Sequence, residues 1–67
     1  MTLTLNGEKR EFDGDTLALE ELLRQLDLAG RPVVVEHNRE PVLPGNYGKL
    51  TLQHGDTLEI VRIAAGG

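Results

Sequence analysis

Only one stretch of this chain has the period of a helix, and it is short. Leu19, Leu22, Leu23 and Leu26 recur at i, i+3, i+4 and i+7, so all four share one face. Glu20, Glu21, Arg24 and Gln25 fill the solvent side, and the two glutamates fall in the first turn, where the helix dipole favours negative charge. Thr16 is the nearby N-cap candidate, although no Glu or Gln follows three residues on to complete a capping box. Gly30 and Pro32 predict a stop around Asp27 to Ala29. So short a helix cannot bury its apolar stripe alone, and the rest of the chain has to cover it.

The rest reads as strands. Thr2-Leu3-Thr4-Leu5 alternates polar and apolar, and Asn6-Gly7 after it is a strong two-residue hairpin signal. The return arm, Glu8 to Phe12, has the charge of an edge strand and brings Phe12 as a core anchor. Asp13-Gly14-Asp15 is a turn. Val33-Val34-Val35 is β-branched throughout and gives way to a turn at Glu36-His37-Asn38-Arg39, the pattern of a central strand. Pro41-Val42-Leu43-Pro44 is bracketed by prolines and can be at most a short edge piece. Pro44-Gly45-Asn46-Tyr47-Gly48 is a loop on composition. Lys49-Leu50-Thr51-Leu52 alternates again, His54-Gly55-Asp56 turns, and Thr57 to Ile63 is the last strand.

This order predicts an α+β domain with one helix packed across one face of a mixed sheet. Strand parity turns Leu58, Ile60, Val33 and Val35 toward the helix. Glu59, Val61 and Ile63 go to the open side, with Val34 beside Glu36. Val34, Val61 and Ile63 thus form a candidate docking patch on the open face. A chain of 67 residues has room for one core, which the reading assigns to residues 1–62, with residues 63–67 as a flexible tail.

Composition narrows the chemistry. Seven basic residues are scattered against eleven acidic ones, for a net charge of −4, with one Phe, one Tyr and no Trp. Neither phosphate neutralisation nor base stacking is provided for, so nucleic acid is not an expected partner. No apolar run approaches ~18 residues and no signal peptide opens the chain, so no membrane partner is expected and the predicted location is cytoplasmic. The chain contains neither Ser nor Cys, which excludes serine and thiol nucleophiles, thiolate metal sites and a phosphopantetheine arm. His37 and His54 lie in predicted turns and lack a third ligand for zinc. Asp13, Asp15, Glu20 and Glu21 are explained by capping and dipole chemistry around a turn and a helix start. No cofactor is expected to be bound.

What remains is the end of the chain, Ile63-Ala64-Ala65-Gly66-Gly67. Two glycines carry no side chains and can thread a narrow channel, presenting the α-carboxylate of Gly67 inside another protein. A carboxylate is ionised near neutral pH and is a poor electrophile. Another enzyme would have to activate it, most simply as an acyl-adenylate made from ATP. On that reading the chain is a substrate and carrier, not a catalyst.

Several segments then fall into one pattern. Leu5-Asn6-Gly7-Glu8, Leu22-Leu23-Arg24-Gln25-Leu26, Val34-Val35-Glu36-His37-Asn38, Gly55-Asp56-Thr57-Leu58-Glu59-Ile60-Val61 and Gly66-Gly67 stand in the order and spacing of one family. The chain resembles the sulfur carrier proteins of thiamine biosynthesis, the ThiS family, which have a ubiquitin-like β-grasp fold. The resemblance implies that an E1-like enzyme adenylates the Gly67 carboxylate using ATP. A sulfur donor protein then supplies the sulfur of a thiocarboxylate, which thiazole synthase consumes in building the thiazole ring. By the same resemblance Gly66, Ala65 and Ala64 are the tail residues that enter the partner's active site. The small subunit of molybdopterin synthase shares the fold and the Gly-Gly end, and a ubiquitin-like protein modifier would use the same carboxylate. From a different class, a plain binding module would use the open sheet face and leave the glycines incidental.

Overall fold

Asn6 and Gly7 both adopt positive φ, 50° and 84°, and close the first hairpin as their types predict. The same device recurs at Asn38 and Arg39, with φ of 50° and 72°, and closes a second hairpin where the sequence showed only a turn. The computed structural model describes residues 1–64. Along them run β1 (Thr2–Leu5), β2 (Glu8–Glu11), β3 (Thr16–Ala18), α1 (Leu19–Gln25), β4 (Val33–His37) and β5 (Glu40–Val42). A 3₁₀ turn (Pro44–Asn46), β6 (Thr51–Gln53) and β7 (Thr57–Arg62) follow.

Five strands form one mixed sheet in the order β2-β1-β7-β4-β5. The last strand in sequence lies in the middle, parallel to β1 and antiparallel to β4. Its inward residues Leu58 and Ile60 meet Val35 of β4 and Leu3 and Leu5 of β1 beneath α1, whose Leu19, Leu22 and Leu23 complete the core with Leu52. Leu26 and Phe12 are half-buried at its margin, so Phe12 is a rim contact rather than the anchor expected of it.

Three sequence expectations are corrected. The segment expected to add a strand to the sheet, around Thr51 and Leu52, instead pairs as β6 with β3 in a separate two-stranded ladder. Thr16 consequently lies in β3 and does not cap the helix; Ala18 occupies the N-cap position with no side-chain bond. The first helical N–H groups find backbone partners instead: Leu19 donates to the Leu50 carbonyl at 2.9 Å and Glu20 to that of Tyr47 at 3.1 Å. The β6 approach loop thus does the capping that a side chain would otherwise do. At the other end the stop is set by Asp27 (φ 60°), ahead of Gly30. Leu28 N–H reaches the Leu23 carbonyl at 2.7 Å and Asp27 N–H that of Arg24 at 3.1 Å, a Schellman closure that ends the helix at Gln25.

His37, expected in a turn, is the last residue of β4, and its Nε2 donates to Asp56 Oδ2 at 2.8 Å. Asp56 also accepts from the Gln53 amide at 2.9 Å and from Asn38 Nδ2 at 3.2 Å. Burial alone would push this carboxyl up, but those three donors outweigh it and hold Asp56 below its ordinary value. A depressed folded-state pKa gives stability that is present above the unfolded value and is lost as pH falls through the folded one. Urea midpoints should therefore decline as pH drops below about 4, and Asp56→Asn should lose less over that range than the parent. Parallel acid losses in parent and variant would show that the clasp contributes nothing.

Candidate functional site

The site is built on β7, because that strand leads directly into the tail. Two asparagines grip it from opposite sides. On the β4 side, Asn38 N–H donates to the Thr57 carbonyl and Asn38 Oδ1 accepts from the Thr57 amide, both at 2.8 Å. On the β1 side the ladder ends at Leu5 opposite Leu58, where the hairpin turns away. The Asn6 side chain supplies the next rung: Oδ1 accepts from Ile60 N–H at 2.7 Å and Nδ2 donates to the Ile60 carbonyl at 3.1 Å. An amide side chain here does the work of a backbone unit and leaves no polar group of Ile60 unmatched. The sequence made Asn6 a turn residue; its second task had no local signal.

Beyond Arg62 the chain is held once more, by Ile63 N–H on the Pro32 carbonyl at 2.9 Å. That bond lies one residue past the expected domain edge at residue 62. A groove of about 520 Å³ lined by Arg31, Pro32, Arg62, Ile63 and Ala64 opens beside it. Ala64 is exposed and leaves the fold there. The tail positions Ala65, Gly66 and Gly67 lie outside the described residues.

Val34 and Val61 are direct cross-strand partners on the open face, 48% and 59% exposed, and Ile63 follows on the same face at 51%. The parity reading placed these three side chains correctly. It missed Leu43, which is 69% exposed and stands next to Val34 if the β4–β5 register is carried one residue on. Its bracket of prolines hid it, although an inward Val42 already implies an outward Leu43. These four are the exposed large hydrophobic residues of the described chain, and all belong to one face. Among the described residues no group of three or more His, Cys, Asp or Glu is placed to hold a metal. His54 Nδ1 accepts the Thr2 N–H at 2.9 Å, a turn-bracing role.

One helix laid across a five-stranded mixed sheet, with the last strand in its middle and parallel to the first, defines a β-grasp domain. The comparisons carry this further. The model of the ThiS family matches residues 3–67. A crystal structure of the thiamine biosynthesis protein ThiS from Geobacter metallireducens superposes with a TM-score of 0.86 at 35% identity, covering all of both chains. The sulfur carrier protein ThiS of Bacillus subtilis is 34% identical over 65 residues, 97% of this chain and 98% of that protein. The chain belongs to the ThiS family. It is also 40% identical over its whole length to part of the thiazole synthase of Paramagnetospirillum magneticum, of which it spans only 20%.

Proposed function

We propose that this chain carries sulfur for thiamine biosynthesis on the α-carboxylate of Gly67. The observation that carries the reading is a ThiS-family match reaching residue 67, on a fold whose central strand ends at Arg62, five residues before Gly67. In the first step a carboxylate oxygen attacks the α-phosphorus of ATP, and pyrophosphate leaves. An E1-like enzyme supplies that site and uses the ATP; the carrier itself holds no cofactor. A sulfide equivalent from a donor protein then attacks the acyl carbon and AMP departs, leaving the thiocarboxylate. Thiazole synthase takes up that sulfur. The occurrence of this domain within longer thiazole synthase chains supports that partner.

The folded part is the handle. Val34, Leu43, Val61 and Ile63 form the apolar docking face, and burying such a patch against a partner is favourable by about 25 cal/mol per Å². Ala64 to Gly67 then enter the partner's active site. The test is an intact mass after incubation with an E1-like adenylating enzyme, ATP and a sulfur donor. The expected product gains the difference between one sulfur and one oxygen, located to the C-terminal residue by fragmentation. An unchanged mass with enzymes that do load another ThiS protein would overturn the proposal.

A further inference from the structure

The tail-bearing strand is paired on both sides for its first half and on one side only thereafter. Successive backbone units of a strand point alternately to its two neighbours. In β7 the units of Thr57 and Ile63 turn toward the β4 side, where they meet Asn38 and Pro32. Those of Leu58 and Ile60 turn toward β1, where Asn6 takes them with its backbone and then its side chain. The next unit on that side is Arg62, and the β1–β2 hairpin has already turned back at Asn6 and Gly7. Among the described residues the N–H and C=O of Arg62 therefore face a gap in the sheet. The Ile63–Pro32 bond keeps the strand in register past it.

The two outer strands of the five-stranded sheet are protected. All four residues of β2 are exposed and charged, Glu8-Lys9-Arg10-Glu11, which discourages pairing with another strand. The outer strand β5 is three residues long and contains Pro41. At the Arg62 rung β7 has no proline and one charged side chain in place of the four of β2, and among the described residues neither β1 nor β2 reaches it.

We infer that the Arg62 rung is a strand-addition site, and that its occupant is an extended segment of thiazole synthase. This rests on the carrier reading above. One observation selects the occupant. Relatives that carry thiazole synthase in the same chain as this domain show that the two have been kept together. The side chains flanking the rung also define what fits: Val61 and Ile63 on the open face favour apolar neighbours, and Arg62 on the helix side favours a carboxylate across from it. Asn6 fixes the register, since the incoming strand can start only beyond it. Backbone pairing at this rung would hold the root of the tail straight as it enters the synthase.

Amide exchange distinguishes this inference from its parent reading. The ¹⁵N-labelled chain is exchanged free and with excess thiazole synthase, then quenched and read residue by residue. The Ile63 amide should be slow in both states, and the Arg62 amide should slow by tenfold or more only in the complex. Arg62→Pro removes this donor while leaving the β4 ladder intact, because the N–H points away from β4. It should weaken binding tenfold or more with an unchanged melting temperature, whereas Arg62→Ala, which keeps the N–H, should lose less. A complex in which the Arg62 amide exchanges as fast as in the free chain overturns the inference and spares the carrier reading. Failure of the parent chain to bind thiazole synthase overturns both.

Discussion

A chain lacking Gly67 is expected to fold and melt with the parent yet to acquire no usable sulfur. The described sheet and core are closed by residues up to Ile63, whose N–H donates to the Pro32 carbonyl, so the fold is expected to survive removal of a residue four positions later. The functional loss is of another order. Shortening the chain by one residue withdraws its carboxylate by up to about 3.3–3.6 Å. A misplacement of about 1 Å at a reacting centre already costs on the order of 10²-fold, so transfer should fall by at least that much. The complementary variant is Val61→Asp. Val61 is 59% exposed, so a charge there should leave stability within about 0.5 kcal/mol of the parent. Set in the middle of the proposed docking face, it should cost about 2 kcal/mol of partner binding, or roughly 30-fold in affinity. Affinity measurements on the two variants separate handle from hook: the shortened chain should bind and fail to transfer, and Val61→Asp should fail to bind. Transfer by the chain that lacks Gly67 would place the reacting carboxylate elsewhere.

The parts of this site that were legible in the sequence are those set by a local period. The leucine spacing gave the helix and its buried face, and Asn6-Gly7 gave the first turn. Alternation along β4 and β7 put Val34, Val61 and Ile63 on the open side, and their exposure agrees. What stayed hidden depends on partners distant in sequence. Thr16 to Ala18 is too short to show alternation, and it becomes a strand only because Thr51 to Gln53 lies beside it. No helix signal reveals that the Tyr47 and Leu50 carbonyls will cap α1, because every residue type offers the same carbonyl. Asn6 shows the limit most clearly. Its tolerance of positive φ is written in its type, whereas its grip on Ile60 requires β7 to arrive beside it.

The same central strand sets the largest expected stability effect, at Leu58. Its side chain is fully buried, and its backbone lies in register with Leu5 of β1 and His37 of β4. Leu58→Ala removes three carbon atoms from the middle of the core, where neighbours held by two ladders can close only part of the space. Such truncations cost about 2–5 kcal/mol. A domain of this size has only about 3–10 kcal/mol in total, at roughly 0.05–0.15 kcal/mol per residue. The variant should therefore lose a large fraction of its stability and, at the upper end of that range, populate the unfolded state at room temperature. Val61, one turn of the pleat away from Ile60 and facing solvent, should tolerate Ala within about 0.5 kcal/mol. The measurement is a urea titration followed by circular dichroism, read as a shift in midpoint at constant slope. Sulfur loading of Leu58→Ala should survive in the cold and disappear on warming ahead of the parent, because the tail is unchanged and only its support melts. A midpoint for Leu58→Ala as close to the parent as that of Val61→Ala would mean that the core does not close around β7 as described.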